Sequence, residues 1–200
     1  MSRTIVLASN NAGKVQEIGT LLATLAVSVV PQSRFGVPEV EETGLTFVEN
    51  AILKARNASR HTGYPAIADD SGLEVDALEG APGVSSARYA GPGATDAANV
   101  EKLLAVLRGV PDSERAARFQ CLMVYLRHAH DATPVIAQGT WEGRIGEAAR
   151  GKNGFGYDPV FFVPTHGCTS AELPPEEKNR LSHRGQALRA LFAMLASTRP

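Results

Sequence analysis

Two adjacent carboxylates follow a short apolar run and are the residues most suited to chemistry. Residues 65–68 predict a strand, and Asp69 and Asp70 come directly after it. Ser71 and Gly72 then predict a turn. Buried anions need a compensating cation, and Mg²⁺ binds carboxylate oxygens. The run therefore indicates a metal or acid–base site, and a solvated acidic turn is the alternative interpretation.

A second pair of carboxylates, Glu41 and Glu42, precedes the predicted helix that leads back to this strand. A helix and a strand of one unit can bring both acidic pairs to one edge of a cleft. Carboxylates together with water and phosphate oxygens are the ligands that Mg²⁺ prefers. A solvated acidic loop remains the alternative for Glu41 and Glu42.

The segment at residues 9–14 has the features of an anion-binding turn between a strand and a helix. Free backbone N–H groups and the helix dipole attract anions at such a place. Gly13 allows a ligand to approach the backbone, and Lys14 adds a positive charge. The spacing does not match a Walker A loop. An ordinary turn with an exposed lysine is the alternative.

The segment at residues 151–159 combines three glycines with two aromatic residues, Phe155 and Tyr157. Glycines allow close backbone approach, an aromatic ring can stack on a base, and backbone groups can read base edges. The glycine order is not the dinucleotide fingerprint, and no helix is predicted directly after it. A glycine-rich hairpin whose aromatic rings belong to the core is the alternative.

Three basic residues, Lys178, His183 and Arg184, lie around the start of the last predicted helix, with Ser182 as its predicted N-cap. Cations at a helix N-terminus oppose the helix dipole, which indicates that an anion binds nearby. A solvated basic turn is the alternative. Together the segments provide what a nucleoside triphosphate requires: phosphate-binding loops, a carboxylate–metal site and a base pocket.

The elements that must position these residues alternate between helices and strands. The first helix has the apolar stripe Val15, Ile18, Leu22 and Leu25. The second begins at the capping box formed by Thr46 and Glu49, and ends near Gly63. The third is capped by Thr95 and stopped by Gly109 and Pro111. The last covers residues 182–196.

Strands are predicted at residues 4–9, 27–30, 65–68, 117–127, 135–145 and 159–163. The strand at 117–127 is apolar almost throughout, as in a central strand covered on both faces. Residues 31–44 and 72–94 read as loops, and a structureless loop as long as the second is usually functional. The alternation of helices and strands predicts an α/β sandwich with long strands in the middle.

Composition predicts one soluble domain over residues 1–200, which two lobes around a cleft could form. The net charge of −1 disfavours a nucleic-acid-binding protein. Two cysteines are too few for a disulfide framework, and Cys121 lies in an apolar run that predicts core.

No apolar run reaches the roughly 18 residues of a membrane span, and the amino-terminal run is too short for a signal peptide. We therefore expect a cytoplasmic protein that binds no membrane.

The sequence resembles the inosine triphosphate pyrophosphatases, and most closely their bacterial members. The resemblance is specific, because the matching segments occur in the family's order and cover nearly the whole chain. These segments are residues 9–14, 41–47 with 49–51, 68–73, 80–84 with 86–89, 154–161, and 177–178 with 182–185.

The resemblance implies an α/β fold with an elongated mixed central β-sheet flanked by helices, two lobes around a substrate cleft, and a homodimer. It implies hydrolysis of ITP, dITP and XTP to the monophosphate and pyrophosphate, which clears damaged purines from the nucleotide pool. It implies that Asp70 is the general base, and that Glu41 and Asp70 hold Mg²⁺, with Asp69 as a further candidate ligand. Because a coordinated carboxylate is a weaker base, the sequence leaves open whether Asp70 accepts the proton or mainly holds the metal. The phosphate-binding residues would be Ser9, Asn10, Asn11, Ala12, Gly13 and Lys14. The remaining substrate contacts would be Ser71, Phe155, Gly156, Tyr157, Asp158, Lys178, His183 and Arg184.

Discrimination against adenine would require hydrogen-bond donors that face the 6-carbonyl of the base. Backbone N–H groups at residues 155–158, or the side chains of His183 and Arg184, could supply them. A nucleotide-sensing module without catalysis is an alternative function, although it would not need the carboxylates. A nucleic-acid-binding domain that stacks bases on Phe155 and Tyr157 is disfavoured by the charge. A pyrophosphatase for modified pyrimidine triphosphates would differ only in its substrates.

Overall fold

The computed structural model describes residues 4–23 and 28–197. Within these residues the strands are β1 (Ile5–Leu7), β2 (Val29–Pro31), β3 (Ala66–Val75), β4 (Ala116–Leu126), β5 (Val135–Ile145), β6 (Phe161–Val163) and β7 (Cys168–Thr169). The α-helices are α1 (Ala12–Ala23), α2 (Phe47–Thr62), α3 (Asp96–Val106), α4 (Pro175–Leu181) and α5 (His183–Ser197). None of the helices in these ranges has the length and apolarity needed to cross a bilayer.

The strands of the described ranges form one mixed sheet in the order β2-β1-β3-β4-β5-β6-β7. Strand β1 runs parallel to both β2 and β3, whereas β5, β6 and β7 pair antiparallel in succession. The longest strands, β3, β4 and β5, occupy the middle of this order. The predicted α/β class with a mixed central sheet flanked by helices is confirmed.

The chain divides into two compact units. The first takes its described residues from Met1–Asp70, Cys121–Gly139 and His183–Pro200, and the second is Ser71–Gln120 with Thr140–Ser182. The division falls inside β3, directly after Asp70, so β3 contributes residues to both units.

In the first unit, the alternation of side chains along the strands separates two apolar layers. On one face Leu7 and Ile67 pack in a cluster with residues of α1 and α5. On the other face Val6, Ala66 and Ala68 pack with the alanines of α2. Because neighbouring strand residues point to opposite faces, Asp69 follows Ile67 toward α1 and α5, and Asp70 follows Ala68 toward α2.

The second unit has its own core, in which strand residues pack against α3 through Leu103 and Leu107. The rings of Phe119, Trp141 and Phe161 pack against one another in this core, with the centroids of Phe119 and Phe161 4.5 Å apart. The buried residues of this cluster all belong to the second unit. Each unit therefore buries apolar side chains of its own.

The predicted helix boundaries hold where capping residues define them. The Thr46 side chain accepts a hydrogen bond from the Glu49 N–H, the Glu49 carboxylate accepts one from the Thr46 N–H, and Gly63 closes α2 in the left-handed conformation. Thr95 caps α3 by accepting from the N–H of Ala98. Local side-chain chemistry alone is sufficient to place these ends.

The predicted acidic turn is wrong, because Asp69, Asp70, Ser71 and Gly72 lie inside β3. The strand continues because Leu73 and Val75 are fully buried in the second core, so extended backbone is stabilised beyond the carboxylates. Residues 72–94 are consequently not a structureless loop. They complete β3 and then form short 3₁₀ turns, among them Gly83–Arg88.

Other differences are smaller. Helix α1 already begins at Ala12, so Ala12, Gly13 and Lys14 form its first turn rather than a loop. Strand β4 alternates buried with partly exposed residues instead of being covered throughout. The helix α4 and the two-residue strand β7 were not predicted, and both are too short for a periodic signal. Leu25 and Val27, which were assigned to the first helix and second strand, lie outside the described residues.

Gly139 in β5 allows the first turn of α5 to pack directly on the sheet. A Cβ atom at this position would lie 2.1 Å from the His183 carbonyl oxygen and 2.6 Å from the Ala187 nitrogen. We expect Gly139→Ala to destabilise the protein by about 2 kcal/mol or more, since packed backbone cannot relax cheaply. The free energy of unfolding in urea measures this effect.

The matched control is Gly19→Ala on the exposed side of α1, where a Cβ would meet nothing within 4 Å. Helix propensity predicts that this change stabilises the protein by about 0.5–1 kcal/mol. Equal effects of the two alanine substitutions would refute the proposed packing at Gly139.

Candidate functional site

Asp69 lies in a buried cluster of charges in the first unit. Its Oδ2 is 2.9 Å from Lys14 Nζ and 3.6 Å from Arg184 Nε. Arg184 also donates a hydrogen bond to Glu17 on α1. The Asp69 and Arg184 side chains are almost completely buried. Two carboxylates from β3 and α1 thus face two cations from α1 and α5, which predicts a rigid and nearly neutral cluster.

The charges of this cluster keep Asp69 ionised. Burial alone would raise the pKa of Asp69, but the positive charges of Lys14 and Arg184 outweigh it and hold this pKa well below its ordinary value. Burial disfavours the Arg184 guanidinium, yet the anionic Asp69 and Glu17 raise its pKa further. Asp69 is therefore a poor proton acceptor near neutral pH.

Asp70 points to the opposite face and meets residues of α2. Its Oδ1 accepts a hydrogen bond from Lys54 Nζ at 2.8 Å, and its Oδ2 accepts one from Asn50 Nδ2 at 3.3 Å. Lys54 Nζ also lies 3.0 Å from Glu42 Oε1. Asn50 and Lys54 lie four residues apart and therefore on the same face of α2.

Burial has a different outcome for Asp70. Burial raises the pKa of Asp70, and the positive charges of Lys54 and Lys14 reduce this increase without cancelling it. Burial also opposes the Lys54 ammonium, but the charges of Asp70, Asp69 and Glu42 raise its pKa overall. Of the two adjacent aspartates, Asp70 is the one whose carboxylate can accept a proton more readily than an ordinary aspartate.

The carboxylates near Lys54 are also the best candidates to hold a cation. Asp70 and Glu42 both place an oxygen within 3.0 Å of the same ammonium group. Glu41, the predicted ligand, is exposed and forms no ion pair within the described residues. The described part of the chain contains no ready-made group of three metal-binding side chains. Two carboxylates fit Mg²⁺ nevertheless, because phosphate and water commonly supply its other ligands.

The predicted phosphate-binding segment connects β1 to α1. Asn11 Oδ1 accepts a hydrogen bond from the Lys14 N–H at 3.0 Å, and Ser9 Oγ accepts one from the Asn11 N–H at 3.3 Å. Asn10 is held by Gln32, which donates to its side-chain oxygen at 2.8 Å. Side chains therefore fix the shape of this segment, and Ala12 and Gly13 begin the helix.

In the second unit, Asp158 organises the predicted base-binding segment. Its Oδ2 accepts hydrogen bonds from Lys178 Nζ at 2.5 Å and from the Phe155 N–H at 2.8 Å, and its Oδ1 accepts one from Ser170 Oγ at 2.8 Å. Gly154 has a φ of +76°, and a Cβ there would lie 2.0 Å from Asp158 Oδ2. Lys178 Nζ lies 5.2 Å from the centroid of the Phe155 ring.

Two expectations about residues 155–158 need revision. Tyr157 is 5% exposed, its ring belongs to the second core, and its hydroxyl donates to the Ser86 carbonyl oxygen. The N–H of Phe155 donates to Asp158, and that of Gly156 donates to Asp96 at 2.7 Å. These two backbone donors are already engaged within the second unit, and the Arg184 guanidinium is likewise engaged by Glu17 and Asp69 within the first.

The structure thus brings the predicted residues together in separate groups. The first unit joins Lys14, Asp69 and Arg184, with His183 beside Arg184 in the first turn of α5. The second unit joins the segment at residues 155–158 to Lys178, and also contains Ser71, which lies half-buried in β3.

Three polar partners in the first unit, Lys54, Asn50 and Glu17, were not predicted as site residues from the sequence. A signal existed for two of them, because Asn50 and Lys54 lie four residues apart beside the apolar face of α2. Glu17 lies one helical turn after Lys14, but nothing in the sequence connects it to Arg184, which is far away along the chain. Only tertiary packing reveals that contact.

The different environments of the two aspartates predict unequal effects of the same isosteric change. Asp69→Asn leaves buried Arg184 and partly buried Lys14 without their shared anion, and should lower the free energy of unfolding at pH 7 by about 3–5 kcal/mol. Asp70→Asn removes an anion that burial disfavours, and Lys54 keeps Glu42, so the loss should be clearly smaller. Urea denaturation of both variants measures the difference.

The pH dependence provides the control for this prediction. The folded-state pKa of Asp69 is lowered, so its stabilisation is complete above the unfolded value of about 3.9 and is lost as the pH falls through the folded pKa. The raised pKa of Asp70 means that its ionisation costs stability at neutral pH, and this cost disappears in acid. A loss for Asp70→Asn equal to that for Asp69→Asn at pH 7 would contradict these assignments.

Comparison with known proteins confirms the family resemblance seen in the motifs. The family model for the Ham1 family matches residues 5–194. A protein of Methylococcus capsulatus named dITP/XTP pyrophosphatase is 63% identical over 195 residues, which covers 98% of this chain and 97% of the relative. One of the same name from Vibrio parahaemolyticus is 60% identical over 195 residues and covers 98% of both chains.

Solved structures agree with the sequence comparisons. A HAM1 protein from Coxiella burnetii matches with a TM-score of 0.90 and 53% identity, covering 98% of this chain and 100% of that one. A nucleoside-triphosphatase / dITP/XTP pyrophosphatase from Mycobacterium abscessus matches with a TM-score of 0.74 and 44% identity, covering 94% and 98%. Since the family match spans nearly the whole sequence, the chain belongs to the Ham1 family.

Proposed function

We propose that this protein hydrolyses the non-standard purine nucleoside triphosphates ITP, dITP and XTP to the monophosphate and pyrophosphate. Relatives named dITP/XTP pyrophosphatase are 60–64% identical over almost their entire length. The structural observation that carries the proposal is the pair of adjacent buried aspartates, of which Asp69 faces Lys14 and Arg184 and Asp70 faces Lys54. One carboxylate stays ionised for structure, and the other is suited to acid–base chemistry.

In this proposal Asp70 is the general base that orients and deprotonates the attacking water, which adds to the α-phosphorus as pyrophosphate leaves. Burial raises the pKa of metal-free Asp70, which supports the role, whereas Mg²⁺ on the same carboxylate would reduce this increase. A relay through Asp69 is disfavoured, since Lys14 and Arg184 keep that carboxylate ionised. Lys54 holds the Asp70 carboxylate in place through the 2.8 Å hydrogen bond.

The proposed cofactor is Mg²⁺. Asp70 would hold it, together with Glu41, as the resemblance implies, or with Glu42, which meets Asp70 at the Lys54 ammonium. When bound, Mg²⁺ would offset negative charge on the phosphate oxygens and position them for attack. Lys54 would then have to share or leave its position between the two carboxylates.

We assign phosphate binding to the segment at residues 9–14. Support comes from the start of α1 at Ala12, where the helix dipole and the N–H groups of the first turn favour an anion. Lys14 adds a cation that Asp69 holds at 2.9 Å, so its ammonium is oriented before a phosphate arrives. In the second unit, Lys178 would offset charge on the leaving pyrophosphate.

We assign base binding to Phe155 and its neighbours in the second unit, with Ser71 of the same unit as a further substrate contact. The resemblance implies that His183 and Arg184 also contact the substrate. A donor that adenine leaves unpaired can discriminate by about 10⁴-fold or more. The buried Asp158–Lys178 pair supports this assignment by fixing the backbone around Phe155. A homodimer and a cytoplasmic location are proposed from the family resemblance and the expected nucleotide substrates.

The test is release of pyrophosphate from a panel of ITP, dITP, XTP, GTP, ATP and a modified pyrimidine triphosphate. We expect turnover of the first three with Mg²⁺ present, turnover of ATP lower by about 10⁴-fold, and loss of activity with a chelator that added Mg²⁺ reverses. Equal rates for all the nucleotides would defeat the proposed specificity. Tight binding of ITP without turnover would instead indicate a sensing module.

The variant Asp70→Asn tests the role of Asp70 in the same assay. It should lose about 10²-fold or more in kcat if Asp70 acts as a general base. Turnover close to that of the wild type would remove Asp70 from this role while leaving the substrate assignment intact.

A further inference from the structure

The tip of the segment at residues 151–158 is held by the carboxylate of Asp96. This segment forms neither helix nor strand, and its stem is tied to the neighbouring backbone through Asn153, which donates to the Leu173 carbonyl oxygen at 3.0 Å. The tip is defined here as Phe155 and Gly156. At the tip, the Gly156 N–H donates to Asp96 Oδ2 at 2.7 Å. Both residues belong to the second unit, and 60 positions separate them along the chain.

The contact is short and involves a charged acceptor, so it is stronger than a neutral hydrogen bond. Gly156 has a φ of +61°, and a Cβ there would meet nothing within 4 Å. Gly156 has no side chain that could pack against the protein. Because glycine is the least restricted residue, the orientation of this peptide depends strongly on the hydrogen bond that it makes.

Asp96 differs from the other partners of this tip in its exposure. The Tyr157 hydroxyl contacts Ser86 in the core, and the Phe155 N–H contacts the buried Asp158. Asp96 is exposed in the first turn of α3. A change at Asp96 can therefore release the tip without opening the core, which makes its role separable from folding.

We propose that Asp96 is a positioning residue for base recognition. It holds the Gly156 peptide and thereby the direction of the adjacent Phe155 ring, without touching the reacting atoms. The inference rests on the proposed function, in which the purine base stacks on Phe155. A tip that is already ordered does not have to be ordered on binding, so the tether strengthens base binding and leaves phosphate binding unchanged.

A purely structural role for Asp96 predicts a different pattern. A negative charge in the first turn of a helix favours the helix dipole, and this benefit needs the charge. The tether needs only an acceptor oxygen, which asparagine retains. Asp96→Asn therefore loses the helix contribution but keeps most of the tether, whereas Asp96→Ala loses both.

The experiment compares Asp96→Ala, Asp96→Asn and Glu101→Ala, the last removing an exposed carboxylate farther along α3. For Asp96→Ala we expect KM for ITP to rise about tenfold, kcat to stay within about twofold, and inhibition by pyrophosphate to be unchanged. Amide hydrogen exchange in residues 151–158 should become faster. Asp96→Asn should stay within about threefold of the wild type in KM, and Glu101→Ala should match the wild type.

Two results would overturn the inference. One is an unchanged KM in Asp96→Ala despite faster exchange at residues 151–158, because the tip would then not matter for the base. The other is an equal rise in KM for Asp96→Asn and Asp96→Ala, which would assign the effect to the helix. Failure of the wild type to hydrolyse ITP would instead refute the proposed function on which the inference rests.

Discussion

The burial of two adjacent carboxylates in one strand is the constraint on which the first unit depends. Side chains alternate along β3, so Asp69 and Asp70 point into different layers and one cation cannot compensate both in the same way. The layer of α1 and α5 supplies Lys14 and Arg184, and the layer of α2 supplies Lys54. The positions of these helices on the sheet are therefore coupled to the charge of two neighbouring residues.

The same constraint separates structure from chemistry. Asp69 is fully buried between Lys14 and the buried Arg184, so its charge is fixed and it serves to hold α1 and α5 on the sheet. Asp70 has one main cation and keeps a raised pKa, which suits a group that exchanges a proton. In the second unit, a similar buried pair, Asp158 and Lys178, orders a segment without secondary structure. In both units a compensated anion orients the groups proposed to bind the nucleotide.

The sequence predicted those features that local chemistry determines. The Thr46 capping box and the strands β4 and β5 follow from short patterns. The acidic turn after Ala68 was wrong, because a polar pair ends a strand only when nothing beyond it is buried, and Leu73 is buried by distant residues. Lys54 and Glu17 were missed for the same reason, since their partners come from other elements. No single segment of the sequence specifies such long-range packing.

The most direct test is to titrate the two carboxyl groups in the ligand-free protein by carbon-13 NMR, with Asp69→Asn and Asp70→Asn used to assign the signals. The Asp70 carboxyl should titrate above the ordinary aspartate pKa of about 3.9. The Asp69 signal should show no titration down to the lowest pH at which the protein stays folded. Two carboxyls that both titrate near the ordinary value, or in the reverse order, would contradict the division of roles between these neighbours.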